Sequence, residues 1–173
     1  QLDETQLPSA DVKLSLLQLA IEKLLQAGYC YIGMDHFALP DDELAIAQAN
    51  GNLHRNFMGY TTHAESDLVG FGVSSISHIG ESFSQNPRDL PSWEAALDAG
   101  RIPTWRGMHL NEDDVIRADL IQRWMCQGEI DIRKFEDRHD IYFHPYFSKD
   151  LLKLQSLADD GLVTISSTHL TAT

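Results

Sequence analysis

Residues 29–60 read YCYIGMDHFALPDDELAIAQANGNLHRNFMGY. Tyr29–Gly33 is a short aromatic and β-branched run, the composition of a strand. Leu39-Pro40-Asp41-Asp42-Glu43 sets a proline and acids where a helix begins, and Ala49-Asn50-Gly51 ends that helix. Arg55–Tyr60 reads as a second strand. Strand, helix, strand in this rhythm predicts βα units and a largely parallel sheet.

Upstream, residues 9–27 read as an amphipathic helix. Ser9 is placed to cap it, and Leu14, Leu17, Ile21 and Leu24 share one face. Gly28 stands at the left-handed C-terminal position. Downstream, Leu68–Val73 reads as a third strand. Residues 81–92 are polar and turn-rich, and Pro91 opens a short helix that stops at Gly100. Asn111 caps a helix carrying Glu112, Asp113 and Asp114 in its first turn, with Ile116, Leu120, Ile121 and Trp124 along one side. Ser148 is expected to cap a further helix, followed by a hairpin of Leu162–Ile165 and Thr168–Leu170. The expected fold class is therefore α/β over residues 1–80, a linking segment over 81–104, and a mostly α-helical, winged-helix-like C-terminal domain over 105–173. Three strands make a small sheet with an open edge, which predicts a missing element at the N-terminal side.

The 173 residues are 43% hydrophobic and 23% charged, as in a globular chain. The formal charge of −13 repels nucleic acid and anionic membrane, so neither is an expected partner. The two cysteines, Cys30 and Cys126, are too few for a disulfide framework, a four-Cys zinc site or an iron–sulfur cluster held by this chain alone. A reducing cytoplasm is the expected compartment.

Gly70-Phe71-Gly72 begins like a dinucleotide fingerprint, but no third glycine or helix start follows. It reads instead as backbone needing close approach. Asp35, His36, Asp41 and Asp42, or His139 and His144, have no established zinc spacing, and no metal ligand is assigned. His36 is read as ending a strand, and His139 and His144 as surface residues. Between Gly51 and Leu110 every basic residue is an arginine, namely Arg55, Arg88, Arg101 and Arg106. Arginine suits bidentate contact with carboxylates, so the group fits a polycarboxylate ligand, against a default of pairing with nearby Asp and Glu. Phe57, Tyr60, Phe71, Phe83, Trp93 and Trp105 interleave with it. Core packing is their default, and a macrocycle pocket would use the same residue types.

Three runs carry a resemblance: Tyr31–Leu44, Leu53–Thr62 (LHRNFMGYTT) and Asp67–Ser77 (DLVGFGVSSIS). Trp105-Arg-Gly-Met, the helix from Asp113 and Asp160-Gly-Leu-Val extend it over nearly the whole chain. The chain resembles the oxygen-independent coproporphyrinogen III oxidases (dehydrogenases), radical SAM enzymes of haem biosynthesis. The resemblance implies oxidative decarboxylation of coproporphyrinogen III to protoporphyrinogen IX through a SAM-derived radical. It implies a partial (β/α) barrel holding a 4Fe–4S cluster and S-adenosyl-L-methionine in a longer, monomeric parent with an external electron donor and acceptor. The family's cluster motif, C-x3-C-x2-C, is absent here. The chain is thus expected to be the last barrel units plus the C-terminal domain, inactive alone, with no catalytic residue or metal ligand assigned. Matching positions imply SAM contact at Ile76 and a second SAM position at Phe57 and Met58. The family commonly has Gln at the latter place, and Met lacks an amide's donors and acceptors, so a weak second SAM is expected. Arg55 and Tyr60 are expected in the substrate pocket. The alternative is a non-catalytic porphyrin- or partner-binding module of similar build.

Overall fold

The structure, a computed structural model, describes residues 7–173. The chain divides into two compact units, one up to Leu53 and one from His54 to Thr173. The expected boundaries near residues 80 and 105 fall inside the second.

In the first unit, α1 (Ala10–Gln26) starts at Ser9, whose side chain accepts from the Val12 N–H, and the chain turns out of it through Gly28 at φ +89°. Ile21 and Leu24 are half-buried, but Leu14 and Leu17 are exposed, and no α1 residue is buried. β1 (Cys30–Gly33) turns back through Met34, at φ +55°, into β2 (His36–Ala38). His36 thus begins a strand and does not end one. Across this hairpin Tyr31 faces Phe37, with ring centres 5.1 Å apart. α2 (Glu43–Ala49) is capped by Asp42, and Gln48 Nε2 donates to the Ile32 carbonyl at 2.9 Å, tying α2 to β1.

The second unit opens with the hairpin β3 (His54–Asn56) and β4 (Gly59–Thr61). β5 (Ile76–Ile79) and β6 (Ser82–Gln85) lead into α3 (Leu90–Asp98), capped by Asp89, and then β7 (Arg106–His109) joins β6 as the third strand of a β5-β6-β7 sheet. α4 (Glu112–Gln127) starts with a capping box in which Asn111 and Asp114 each accept the other's backbone N–H, and it stops at Gly128, φ +67°. β8 (Glu129–Asp131), α5 (Ile132–His139), α6 (Phe143–Tyr146), α7 (Ser148–Asp159), β9 (Val163–Ile165) and β10 (His169–Ala172) complete the chain. The last sheet has the order β8-β10-β9. Ile116, Ile130, Ile132, Phe135, Phe143, Phe147, Val163 and Leu170 form one buried cluster inside these elements. Burying each such side chain contributes about 1.5–3 kcal/mol, which makes this the strongest apolar anchor in the unit.

The fold is mixed α/β, but the expected parallel sheet is corrected. Every strand pair among the described residues is antiparallel, and no closed barrel forms. Short turns decide this: Met34, Gly59 at φ +126° and Gly80 at φ +54° reverse the chain within a few residues, whereas parallel pairing needs a long crossover. The expected strand Leu68–Val73 shrinks to one bridge, Leu68 to His78, because Gly72 (φ +94°) and Ser74 (φ +60°) take left-handed turns. The polar, turn-rich stretch 81–92 of the expected link over 81–104 contains β6. Ser148 is the first residue of α7 and makes no cap, Phe147 standing before it.

Candidate functional site

The β3–β4 hairpin places four of the five expected site residues together. Arg55 pairs with Tyr60 across it, and Phe57-Met58 forms its turn, closed by the Met58 N–H donating to Asn56 Oδ1 at 2.8 Å. Gln122 of α4 grips the backbone of the hairpin. Gln122 Oε1 accepts from the Arg55 N–H at 3.1 Å, and Gln122 Nε2 donates to the Arg55 carbonyl. An amide side chain, with a donor on one atom and an acceptor on the other, answers both backbone atoms of a strand residue. The Arg55 guanidinium lies 5.3 Å from the Tyr60 ring centre, and the Tyr60 hydroxyl reaches the Met125 carbonyl at 3.5 Å.

Between this hairpin, the β5–β6 turn and α4 lies a cavity of about 730 Å³, all within the second unit. Its walls include Arg55, Phe57, His54, His78 and Phe83, and its floor is Asp119, Gln122 and Met125 of α4. Phe83 stacks on His78 at 4.2 Å and meets the Phe57 ring edge-on at 5.8 Å. This volume falls in the range of small-molecule sites, and the lining is aromatic with a few polar groups, as such sites are.

Burial, followed by repulsion from His78, lowers the His54 pKa from its ordinary 6.5, so this imidazole is neutral near pH 7 and can accept as well as donate. Burial works against the Asp119 charge, yet hydrogen bonds from Arg123 Nε (2.9 Å) and His139 Nε2 (2.8 Å) hold its carboxyl below the usual range. His139 is therefore no surface residue. It packs on Phe135 at 4.5 Å and orients Asp119. Burial raises the Cys126 thiol, which makes it a poor nucleophile.

Of the expected residues, Arg55 and Phe57 line the cavity. Tyr60 stands behind Arg55, and Met58 is 83% exposed at the hairpin tip. Ile76 begins β5 outside the lining, and its carbonyl lies so close to Gly70 that a Cβ there would approach within 2.7 Å. The reading of these glycines as sites of close backbone approach holds for Gly70 and fails for Gly72, which has open space beside it and serves a turn at φ +94°. His54, His78, Asp119 and Gln122 are site residues that sequence reasoning misses. His54 lies in the run LHRNFMGYTT, but nothing local joins it to residues of α4 some 65 positions on.

The default of Arg–carboxylate pairing fails for Arg88, Arg101 and Arg106, which make no ion pair with any described carboxylate. Core packing also fails for Phe57, Phe71 and Trp105, all exposed. Among the described residues no group of three His, Cys, Asp or Glu side chains is placed to hold a metal ion.

No protein-family model matches the chain. It is 47% identical over all of its 173 residues to the oxygen-independent coproporphyrinogen III oxidase of Salmonella typhimurium, and 48% identical over 161 residues to that of Pseudomonas aeruginosa. It spans 38% and 35% of their lengths. A solved structure, described as coproporphyrinogen III oxidase from Escherichia coli, a radical SAM enzyme, matches 99% of the chain with a TM-score of 0.93 and 45% identity, and the match covers 40% of that protein. In sequence over its full length and in fold, the chain is similar to oxygen-independent coproporphyrinogen III oxidases, and it spans about two fifths of the length of these relatives.

Proposed function

We propose that this chain is the part of a coproporphyrinogen III oxidase that closes over the tetrapyrrole, and that its cavity receives one edge of the macrocycle. The longer protein then performs the oxygen-independent oxidative decarboxylation of coproporphyrinogen III to protoporphyrinogen IX in haem biosynthesis, in the cytoplasm, as a monomer with a separate electron donor and acceptor. The observation that carries this reading is the cavity of about 730 Å³ whose Arg55 and Phe57 lie in the run LHRNFMGYTT and whose second aromatic, Phe83, comes from β6. A ring of apolar character with acidic side chains meets there Phe57 and Phe83 as flat surfaces, Arg55 as a carboxylate partner, and neutral His54 as a hydrogen-bonding group.

A 4Fe–4S cluster with SAM supplies radical chemistry in such enzymes. The cluster does not fit this chain, since its two cysteines cannot supply a cysteine triplet, so no step is derived through it. Anaerobic treatment of the chain with iron and sulfide is expected to give no 4Fe–4S absorption and no SAM cleavage. SAM contact at Ile76, through strand backbone and apolar surface, remains our assignment, as does a weak second SAM position at Phe57 and Met58. Residues 1–80 are read as the end of a partial barrel, 81–104 as a link and 105–173 as a winged-helix-like domain. The central place of β10 between β8 and β9 supports that last reading. No helix among the described residues is long and apolar enough to cross a membrane.

The test is a chimera in which this chain replaces the corresponding segment of the Escherichia coli enzyme, assayed anaerobically for conversion of coproporphyrinogen III. Activity within about tenfold of the parent is expected. A folded, cluster-loaded chimera with no turnover would reject the catalytic reading and favour a non-catalytic binding module.

A further inference from the structure

Arg88, Trp105 and Arg106 lie outside the cavity lining. Both guanidinium groups sit over one indole, at 5.2 Å and 4.7 Å from its centre. Their carbons are thus no more than about 10 Å apart, within one Debye length at 0.1 M salt, so the two charges repel. Stacking on Trp105 offsets part of that cost. No described carboxylate pairs with either arginine. The nearest acid in sequence, Asp89, is engaged elsewhere, accepting from the Ser92 N–H at the start of α3.

The group is held in place. The Trp105 N–H donates to the Gln85 carbonyl, Arg106 Nε donates to Gln85 Oε1 at 2.9 Å, and Gln85 Nε2 donates to the Ser74 carbonyl at 3.1 Å. The residue before Arg88, Pro87, accepts from the Ser74 N–H at 2.7 Å. Yet Trp105 remains 53% exposed. Two like-charged guanidinium groups over one exposed aromatic, that of Arg106 fixed through Gln85, with no ion-pair partner among the described residues, make a receptor for an anion.

Register gives its relation to the cavity. Ile76, Gln85 and Arg106 are direct cross-strand partners in the β5-β6-β7 sheet, as are His78, Phe83 and Met108 two residues along. Partners share a face, and residues two apart on a strand share it too. The face that presents His78 and Phe83 to the cavity therefore continues, about 7 Å further along the strands, to Arg106.

We propose that Arg88 and Arg106, stacked on Trp105, bind a carboxylate side chain of the polycarboxylate ligand whose ring occupies the neighbouring cavity. This rests on the tetrapyrrole reading above. In that reading the site takes a propionate that is positioned rather than decarboxylated.

The probe is coproporphyrin III, the oxidised tetracarboxylate, titrated into the 173-residue chain by absorbance, with its uncharged tetramethyl ester as the control. Arg88→Gln and Arg106→Gln are each expected to weaken binding of the acid about 10-fold or more, and to leave the ester unchanged. Roughly tenfold higher salt is expected to weaken the acid but not the ester in the unaltered chain. This second measurement needs no variant, and Arg106→Lys, which keeps the charge, guards against a folding defect. Unchanged acid affinity in the double Gln variant would overturn the site while leaving the tetrapyrrole reading intact. No acid binding by the unaltered chain would overturn the site, and the chimera would still decide the reading on its own.

Discussion

The helices after Asn111 and the helix before Tyr29 both carry apolar residues at helical spacing, yet the two regions fold into opposite situations. The first enclose Phe135, Phe143 and Ile130 at under 2% exposure, whereas α1 carries Leu14, Leu16, Leu17, Leu19 and Leu25 exposed and buries nothing. Apolar pattern sets which face of a helix is fit for burial. Whether it is buried depends on what stands opposite, and the energetic weight of a leucine follows from that and not from its place in a heptad.

Truncation is the sharpest way to break this comparison. Phe135→Ala removes a ring that touches Phe143, Phe147 and His139, and is expected to cost about 3–5 kcal/mol in urea unfolding of the chain. Gln122→Ala strips both backbone partners from Arg55 and leaves a half-buried N–H and C=O unanswered. A loss of about 1–3 kcal/mol is expected, with weaker coproporphyrin binding, because the hairpin that presents Arg55 and Phe57 loses its anchor. Asn111→Ala deletes half of the α4 capping box and is expected to cost about 1 kcal/mol. Leu14→Ser in α1 is expected to move the unfolding free energy by less than about 0.5 kcal/mol. A large loss there would show that α1 is covered in solution.

The acid side of the stability profile separates two groups. The His54 pKa is lowered by folding, so its contribution is complete above 6.5 and declines as pH falls below that toward the folded value. Asp119 is likewise lowered, from 3.8, so its contribution is present above 3.8 and lost as pH falls through the folded value. Urea midpoints measured from pH 8 to pH 3 are expected to show a shallow decline below 6.5 that His54→Gln removes. The steeper decline below 3.8 is expected to remain in that variant and to become shallower in Asp119→Asn, where Asp89, Asp113 and Asp131, also lowered by folding, keep the rest of it.

Much of this architecture is legible in the chain's own residues. Ser9 and Asn111 cap helices at the expected positions, Asp42 caps one inside the expected start at Leu39–Glu43, and Gly28 ends α1 in the expected left-handed conformation. Of the residues expected at a substrate pocket, Arg55 lines the cavity and Tyr60 does not, and of those expected to contact SAM, Phe57 lines it while Met58 and Ile76 do not. Pairing direction is not legible. A strand at Tyr29–Gly33 followed by a helix signal at Pro40 hides the three residues His36–Ala38, too short to show an alternation of their own, and those three turn a βα unit into a hairpin. Ser148 misleads for a similar reason, being a good capping residue one position too late.

What the sequence determined by itself is what one or two turns of chain can decide: helix starts and stops, the scarcity of cysteine thiolates, and a segment of an acidic chain whose basic residues are all arginine. Each depends on bonds or charges a few residues apart. Only the tertiary structure decided that Gln122 would clamp Arg55, that His139 would leave the surface to hold Asp119, and that Arg88 and Arg106 would share one tryptophan instead of finding acids. These pairings span about 18 to 67 positions and rest on antiparallel register and helix packing, which no local pattern encodes.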